Sequence, residues 1–163
     1  MPKRSAGLLV YRTTTTNVVE VLIVHPGGPF WAKKDAGAWS IPKGEYEEGE
    51  DARATAFREF EEEVGQAPPR TEPIPLGDLR QPGGKRVSAW AVEGDVDVTD
   101  ATSNTFEMEW PRGSGHIRVF PEVDRVEWMP VARARTKLLK GQVPFLDRMM
   151  EEVGGGDADV TAD

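Results

Sequence analysis

The 163 residues predict a mixed α/β (α+β) domain. Three observations carry this expectation. Most of the chain reads as short β-rich runs separated by turn residues. One strong helical stretch interrupts them near the middle, and two weaker ones close the C-terminal half. A sheet with helices on both faces is the arrangement that buries such a set.

The elements follow in chain order. Ser5 to Arg12 and Val18 to His25 are β-rich runs around the threonine-rich piece 13–17, which predicts a hairpin. Pro26 to Ala38 carries Gly-Gly-Pro, two aromatics and two lysines, and reads as a loop. Trp39 to Pro42 is a short extended piece ending at a proline. Asp51 to Val64 is the best helix of the chain, with Phe57, Phe60 and Val64 falling on one side and Arg53 and Ala56 flanking them. Gly65 suits its C-terminal stop, with Pro68 and Pro69 beyond.

Ile74 to Gln81 and Lys85 to Glu93 predict a second hairpin around Pro82-Gly83-Gly84. Asp95 to Ser103 is polar loop, Thr105 to Trp110 a strand, and Pro111 to Gly115 turn chemistry. Val126 to Met129 ends a further strand. Pro130 suits the first turn of a helix through Leu139. A final amphipathic helix starts at Gln142 or Val143 and ends at Val153. The expected organisation is one domain over residues 1–153, with a small, acidic, disordered tail over 154–163.

Composition narrows the chemistry. Without cysteine there is no disulfide, thiolate zinc site or cysteine nucleophile, and only two histidines exist, His25 and His116. Any metal must therefore rest on oxygen ligands, which suits Mg²⁺ or Mn²⁺. No apolar run approaches the ~18 residues that span a bilayer. The first residues lack the apolar stretch of a signal peptide. The expectation is a cytoplasmic protein with no membrane partner. A net charge of −8 argues against duplex nucleic acid. Between Gly44 and Gly65 stand nine acids and only two bases, a local −7 that is nearly the whole imbalance.

That acidity has a pattern. Glu59, Glu62 and Glu63 are spaced i, i+3, i+4 and so project from one face of the predicted helix. Like charges so placed destabilise an isolated helix by a few tenths, ~0.2–0.5 kcal/mol, per pair. No lysine is interleaved to relieve them, whereas a divalent ion would. On spacing alone, a solvated acidic helix and a metal site stand level. A calcium loop of the EF-hand kind is not matched, since its ligands alternate around a glycine.

The wider stretch resembles the Nudix box. Gly44 is followed by Glu50, then by Arg58-Glu59-Phe60-Glu61-Glu62-Glu63-Val64-Gly65-Gln66, and every fixed polar and glycine position is met. Two apolar positions depart: Phe60 is larger than the usual aliphatic residue and Gln66 is polar. Ser5 to Val10 resembles the family's first strand. Trp39-Ser40-Ile41-Pro42-Lys43-Gly44 resembles the approach to the box in dinucleoside tetraphosphate hydrolases. The likeness covers roughly residues 5 to 140.

The resemblance implies an α/β/α sandwich with a mixed sheet and a loop-helix-loop box. It implies metal ligation by Glu59, Glu62 and Glu63, with Arg58 orienting the carboxylates and Glu50 as its ion-pair partner or a supporting group. Glu122, six residues before Trp128, resembles a glutamate that completes the metal site or acts as base in that branch. The implied reaction is metal-dependent hydrolysis of a diphosphate bond in a small nucleotide-like molecule, foremost a dinucleoside polyphosphate. Either Glu122 or Glu63 would take the proton. A nucleoside triphosphate pyrophosphohydrolase is the alternative enzyme. A non-catalytic nucleotide-sensing module is the alternative of another class, but that reading usually goes with lost box carboxylates.

Further candidates divide between function and packing. Lys43 and Lys33 could neutralise phosphate or could be solvated, as could Lys34. Phe30 and Trp31 could stack on a base or simply pack. His25 and His116 read as structural or exposed rather than catalytic. Glu107 and Glu109 alternate on a strand and read as solvent-facing, though either could stand in for Glu122.

Overall fold

The computed structural model describes residues 3–153, so the tail expected to be disordered, 154–163, lies outside the described residues. Its main sheet runs in the order β4-β5-β1-β2-β8, where β1 is Arg4–Thr13, β2 Val19–Pro26, β4 Ile74–Arg80, β5 Arg86–Glu93 and β8 Val123–Pro130. A sixth strand, β3 (Lys43–Tyr46), also pairs with β1. The sheet is mixed: β1 and β5 are parallel, and the other pairs are antiparallel.

The two predicted hairpins form as β1-β2 and β4-β5. The first one opens. Tyr11 to Thr13 pair with β2, whereas Arg4 to Gly7 pair with β3 on the same edge. Residues 39–46 fill the wedge, with Val24 and Ser40 exchanging backbone hydrogen bonds of 2.8 and 2.9 Å and Leu8 N–H donating to Pro42 O at 3.1 Å. Those bonds place Lys43 and Gly44 beside the middle of the sheet.

Alternation along the strands separates two cores. Leu9, Val21, Ile23, Ala89 and Met129 face one side, which α2 (Val131–Lys137) and α3 (Val143–Val153) cover with Ala134, Phe145, Leu146 and Met149. Leu8, Val10, Leu22, Val24 and Val92 face the other, covered by α1 (Ala52–Val64) through Ala56, Phe60 and Val64. This is the expected sandwich. Phe57 packs at the margin of this core, half-buried, with the Arg70 guanidinium 5.4 Å from its ring centroid.

The strand ending at Met129 extends to Pro130, which caps rather than begins the helix after it. Two strands stand apart as a hairpin of their own, β6 (Thr105–Glu109) and β7 (Ile117–Pro121). The helix ending expected at Leu139 falls earlier, at Lys137, because Leu138 turns to extended backbone and bridges to Trp39.

Candidate active site

α1 is held at both ends by residues the sequence supplies for that purpose. The Asp51 side chain accepts from Ala54 N–H at 3.0 Å, and Gly65, at φ 78°, donates its N–H to Glu61 O. Only a residue tolerant of left-handed backbone terminates a helix this way at low cost. With Phe60 and Val64 anchored in the core, Glu59 and Glu63 are carried toward β3.

Glu63 is the most perturbed of these acids. Its Oε1 accepts from Lys43 N–H at 3.3 Å. Burial pushes the carboxyl up to about 8; the Lys43 ammonium and amide oppose this, while Glu59 and Glu122 add to it. Glu59 is raised too, first by burial, against the hydrogen bond from Arg58, with Glu62 and Glu122 contributing. Arg58 reaches both flanking acids, Nη2 to Glu59 Oε2 at 3.3 Å and Nε to Glu62 Oε2 at 3.5 Å. Glu50 does not join it: its Oε1 accepts from Glu47 N–H at 2.7 Å and closes the turn before α1.

Gly44 lies against this group. A Cβ there would stand 1.9 Å from Glu59 Cδ, so a side chain and the observed carboxylate cannot coexist. Glu122 reaches the site from the far side of the chain, at the junction of β7 and β8. Its N–H donates to Asn104 O at 2.8 Å, and its carbonyl accepts from Gly27 N–H at 2.9 Å. Asn104 N–H in turn donates to Glu62 O at 3.1 Å, and Thr102 N–H to Val64 O at 3.0 Å. These bonds tie Glu122 to the last turn of α1.

The carboxylates are gathered but not converged. Among the described residues, no three acidic or histidine side chains come close enough together to hold an ion. Arg58 draws Glu59 and Glu62 toward itself while Glu63 turns to the Lys43 amide. The donor chemistry nonetheless suits a hard divalent cation: all oxygen, and desolvated enough that burial, with a lesser push from neighbouring carboxylates, raises two carboxyl pKa values. A cavity of about 220 Å³ opens beside Glu63, between residues 98–103 and β8, and includes Ser103, Arg125 and Glu127. A larger one of about 560 Å³ runs from Lys3 to Glu50 and contains none of Glu59, Glu62, Glu63 or Glu122. The smaller is the one beside the chemistry.

The remaining candidates are scattered. Lys43 is half-buried at the site, while Lys33 is exposed on the 26–38 loop. Trp31 sits beneath the Lys34 ammonium, 5.2 Å from ring centroid to Nζ. Phe30 is exposed but touches Trp110, edge to face at 5.7 Å. Glu107 is exposed. Glu109 accepts from Gly113 and Gly115 N–H, which fastens its own turn. His116 is exposed. His25 is fully buried, with Nδ1 2.7 Å from Asp124 Oδ1 and Nε2 2.6 Å from Lys34 O. Sequence reading gives no functional role to Asp124, Arg125, Trp110 or Arg112. All four come to the site's surroundings through contacts across at least 70 residues, which local periodicity does not report.

A carboxylate-bearing helix, capped by Gly65 and laid beside Gly44 on a mixed sheet, defines the Nudix class of domain. The chain belongs to that family: the NUDIX domain model matches residues 1–152. The expected Nudix hydrolase is thereby met at the level of family and fold. An 8-oxo-(d)GTP phosphatase of Mycolicibacterium smegmatis is 28% identical over an alignment of 153 residues that covers 83% of this chain and 37% of that protein. The chain thus spans little more than a third of the curated relative it matches.

Two solved structures share the fold. The NUDIX domain of Shewanella oneidensis NrtR complexed with ADP ribose has a TM-score of 0.65 at 15% identity, covering 94% of this chain and 89% of that one. A C. elegans Ap4A hydrolase binary complex has a TM-score of 0.60 at 18% identity, covering 94% and 99%. No helix among the described residues is long and apolar enough to cross a membrane.

Proposed function

We propose that the chain is a pyrophosphohydrolase that cuts a phosphoanhydride bond of a nucleotide-linked small molecule, foremost a dinucleoside polyphosphate, with Mg²⁺ or Mn²⁺ held by Glu59, Glu62, Glu63 and Glu122. One observation carries the reading. Glu59 and Glu63 are carboxyls whose charge burial disfavours first and neighbouring acids, Glu122 among them, disfavour further; Arg58 and Lys43 offset this only in part, and a divalent cation would offset the rest. When bound, a divalent cation acidifies water and neutralises phosphate charge.

The chain's own residues do the rest. Arg58 holds the Glu59 and Glu62 carboxylates in place. Lys43 donates its amide to Glu63 Oε1, which leaves Oε2 as the atom that carries or releases a proton. Glu63 and Glu122 are the two proton acceptors in range of the group. The Lys43 ammonium, half-buried beside them, supplies positive charge for a phosphate. Cytoplasmic placement belongs to the same reading.

The relative named as an 8-oxo-(d)GTP phosphatase favours a second reading, a nucleoside triphosphate substrate cut by the same group. A non-catalytic sensor is disfavoured by the intact box carboxylates. The deciding experiment measures products, with Mg²⁺, from diadenosine tetraphosphate, nucleoside triphosphates including 8-oxo-dGTP, ADP-ribose, NADH and a diphosphoinositol phosphate. Each is run beside Glu62→Gln. Cleavage of one that the variant loses supports the enzyme and names its substrate. Tight binding of one with cleavage of none overturns it in favour of the sensor.

A further inference from the structure

The 26–38 loop and the 95–115 stretch meet each other. They are also fastened at one point beside the carboxylates, since Gly27 N–H donates to Glu122 O. From there the β6-β7 hairpin projects. Its register pairs Phe106 with Phe120 and Met108 with Arg118 on one face, and Glu107 with Val119 and Glu109 with Ile117 on the other. The second face is exposed. The first turns toward the 26–38 loop, where Gly28 stands so near Phe106 that a Cβ would lie 2.9 Å from the ring Cζ. With Gly28 also at φ 96°, this approach is open to glycine alone.

At the far end of that contact is Phe30. Its ring is braced edge to face by Trp110, at 5.7 Å and 76°, and the Arg112 guanidinium lies 5.9 Å from its centroid. Yet Phe30 is 51% exposed. A phenylalanine serving only to join two segments gains by being covered. This one is held in position from the side with half its surface left to solvent. The Arg112 guanidinium lies over the ring, so the half of Phe30 left to solvent offers a stacking surface that already carries a cation beside it. A flat π-system carrying negative charge meets both, and Lys33 and Lys34 on the same loop add to the positive field.

We propose that Phe30, Trp110 and Arg112 form the subsite that seats the nucleobase of the substrate, with the phosphates running along the hairpin toward Glu122. Ile117, opposite the hairpin tip, and Pro121, next to Glu122, are four strand residues apart, about 13 Å. A base seated at the tip therefore needs several phosphates, rather than one, to bring a scissile bond to the carboxylates. This favours a polyphosphate-linked nucleotide. The inference rests on the pyrophosphohydrolase reading and deepens it by naming what the two loops recognise.

The test separates base from phosphate. Binding of diadenosine tetraphosphate and of inorganic tripolyphosphate, each with Mg²⁺, is measured by calorimetry in the Glu62→Gln protein and in that protein carrying Phe30→Ala or Trp110→Ala. The expected result is a loss of at least tenfold in affinity for diadenosine tetraphosphate, with tripolyphosphate unchanged, because stacking acts on the base alone. Phe30→Tyr restores binding. Nucleotide also quenches tryptophan fluorescence in the parent protein, and Trp110→Phe removes that quenching while keeping affinity. Unchanged affinity for the dinucleotide, or an equal loss for tripolyphosphate, overturns the subsite and leaves the hydrolase standing. Wild-type protein that neither binds nor cleaves any nucleotide overturns both.

Discussion

Gly44 and Glu59 occupy adjoining space with nothing to spare: a Cβ on Gly44 would stand 1.9 Å from the Glu59 carboxyl carbon and 2.2 Å from Oε1. The glycine is required here by close approach and not by backbone conformation. The atoms it faces are the far end of a flexible side chain, so Gly44→Ala moves the carboxylate rather than the fold. The expected outcome is a fall in turnover of about 100-fold or more, in line with displaced metal-binding and acid–base groups. The melting temperature should stay within about 2 °C, roughly the effect of a half to one kcal/mol in a chain of this size. Steady-state kinetics beside thermal unfolding check it. A variant that melts much earlier, or stays active, contradicts the geometry.

Glu63 gives a pH dependence with a definite sign. Burial raises its carboxyl from the ordinary range to about 8, so the folded chain prefers the protonated form. That contribution is fully present below the ordinary carboxylate pKa and is lost as pH rises from there through about 8. Protein stripped with a chelator should therefore lose thermal stability between about pH 5 and pH 8.5, on the order of 2–4 °C for each kcal/mol involved. Glu63→Gln should flatten the slope, and added Mg²⁺ should reduce it. A melting temperature independent of pH in stripped protein, equal in the variant, counts against the burial argument.

Sequence and structure part company in an instructive way. α1 is legible because every local rule agrees: an Asp51 cap, an apolar stripe at Phe60 and Val64, a Gly65 stop. The carboxylate group is legible because its spacing is intrahelical. β3 is not, since Lys43–Tyr46 is short and mostly polar, and becomes a strand only because β1 offers it an edge. β7 is not, because Ile117–Pro121 has no buried face of its own to enforce a pattern. Glu50 reads as a partner of Arg58 by resemblance, yet it finds a backbone amide three residues away. Phe30 with Trp110, and His25 with Asp124, are pairs made by topology and leave no periodic trace.

Proton acceptance divides Glu63 from Glu122. Glu63 sits against the Lys43 amide, deep enough to be strongly perturbed, whereas Glu122 is exposed. Both Glu63→Gln and Glu122→Gln should lower turnover by more than about tenfold, because general-base and metal-ligand roles each contribute at least that much. The base is the one whose variant also loses the acidic limb of the pH–rate profile. The other should leave the profile's shape intact and raise the Mg²⁺ concentration needed for half-maximal rate.

Asp35 closes the base of the 26–38 loop. Its carboxylate takes the Lys137 ammonium on Oδ2 and the Trp39 indole N–H on Oδ1, the latter at 2.8 Å. Lys137 and then Trp39 hold it down to about 2. A depressed acid stabilises the fold above its ordinary pKa, and that contribution fades as pH falls toward 2. The carboxylate is exposed and solvent screens it, so the effect is small. Asp35→Asn should lower the melting temperature slightly at pH 7 and not at all near pH 2. Equal shifts at both values would show that packing, not charge, is at stake.

His25 is the stronger fastening of the same loop. Its ring is buried to 0% exposure, packs edge to face on Trp39 at 5.3 Å, and links Asp124 on β8 to the Lys34 carbonyl. Both partners are acceptors, so the ring donates to whichever one faces its N–H. His25→Ala removes the ring's hydrogen bonding and empties a fully buried space against Trp39, which costs about 2–3 kcal/mol, or roughly 4–12 °C in melting temperature. Asp124 lies two residues from Glu122, and Lys34 lies four from Phe30, so the loss reaches the site as freedom of the loop and not as a missing catalytic group. KM should rise several-fold while kcat falls by less, and His25→Gln, which keeps one bond, should recover part of the stability. A variant with normal KM and a large fall in kcat would instead place His25 in the chemistry.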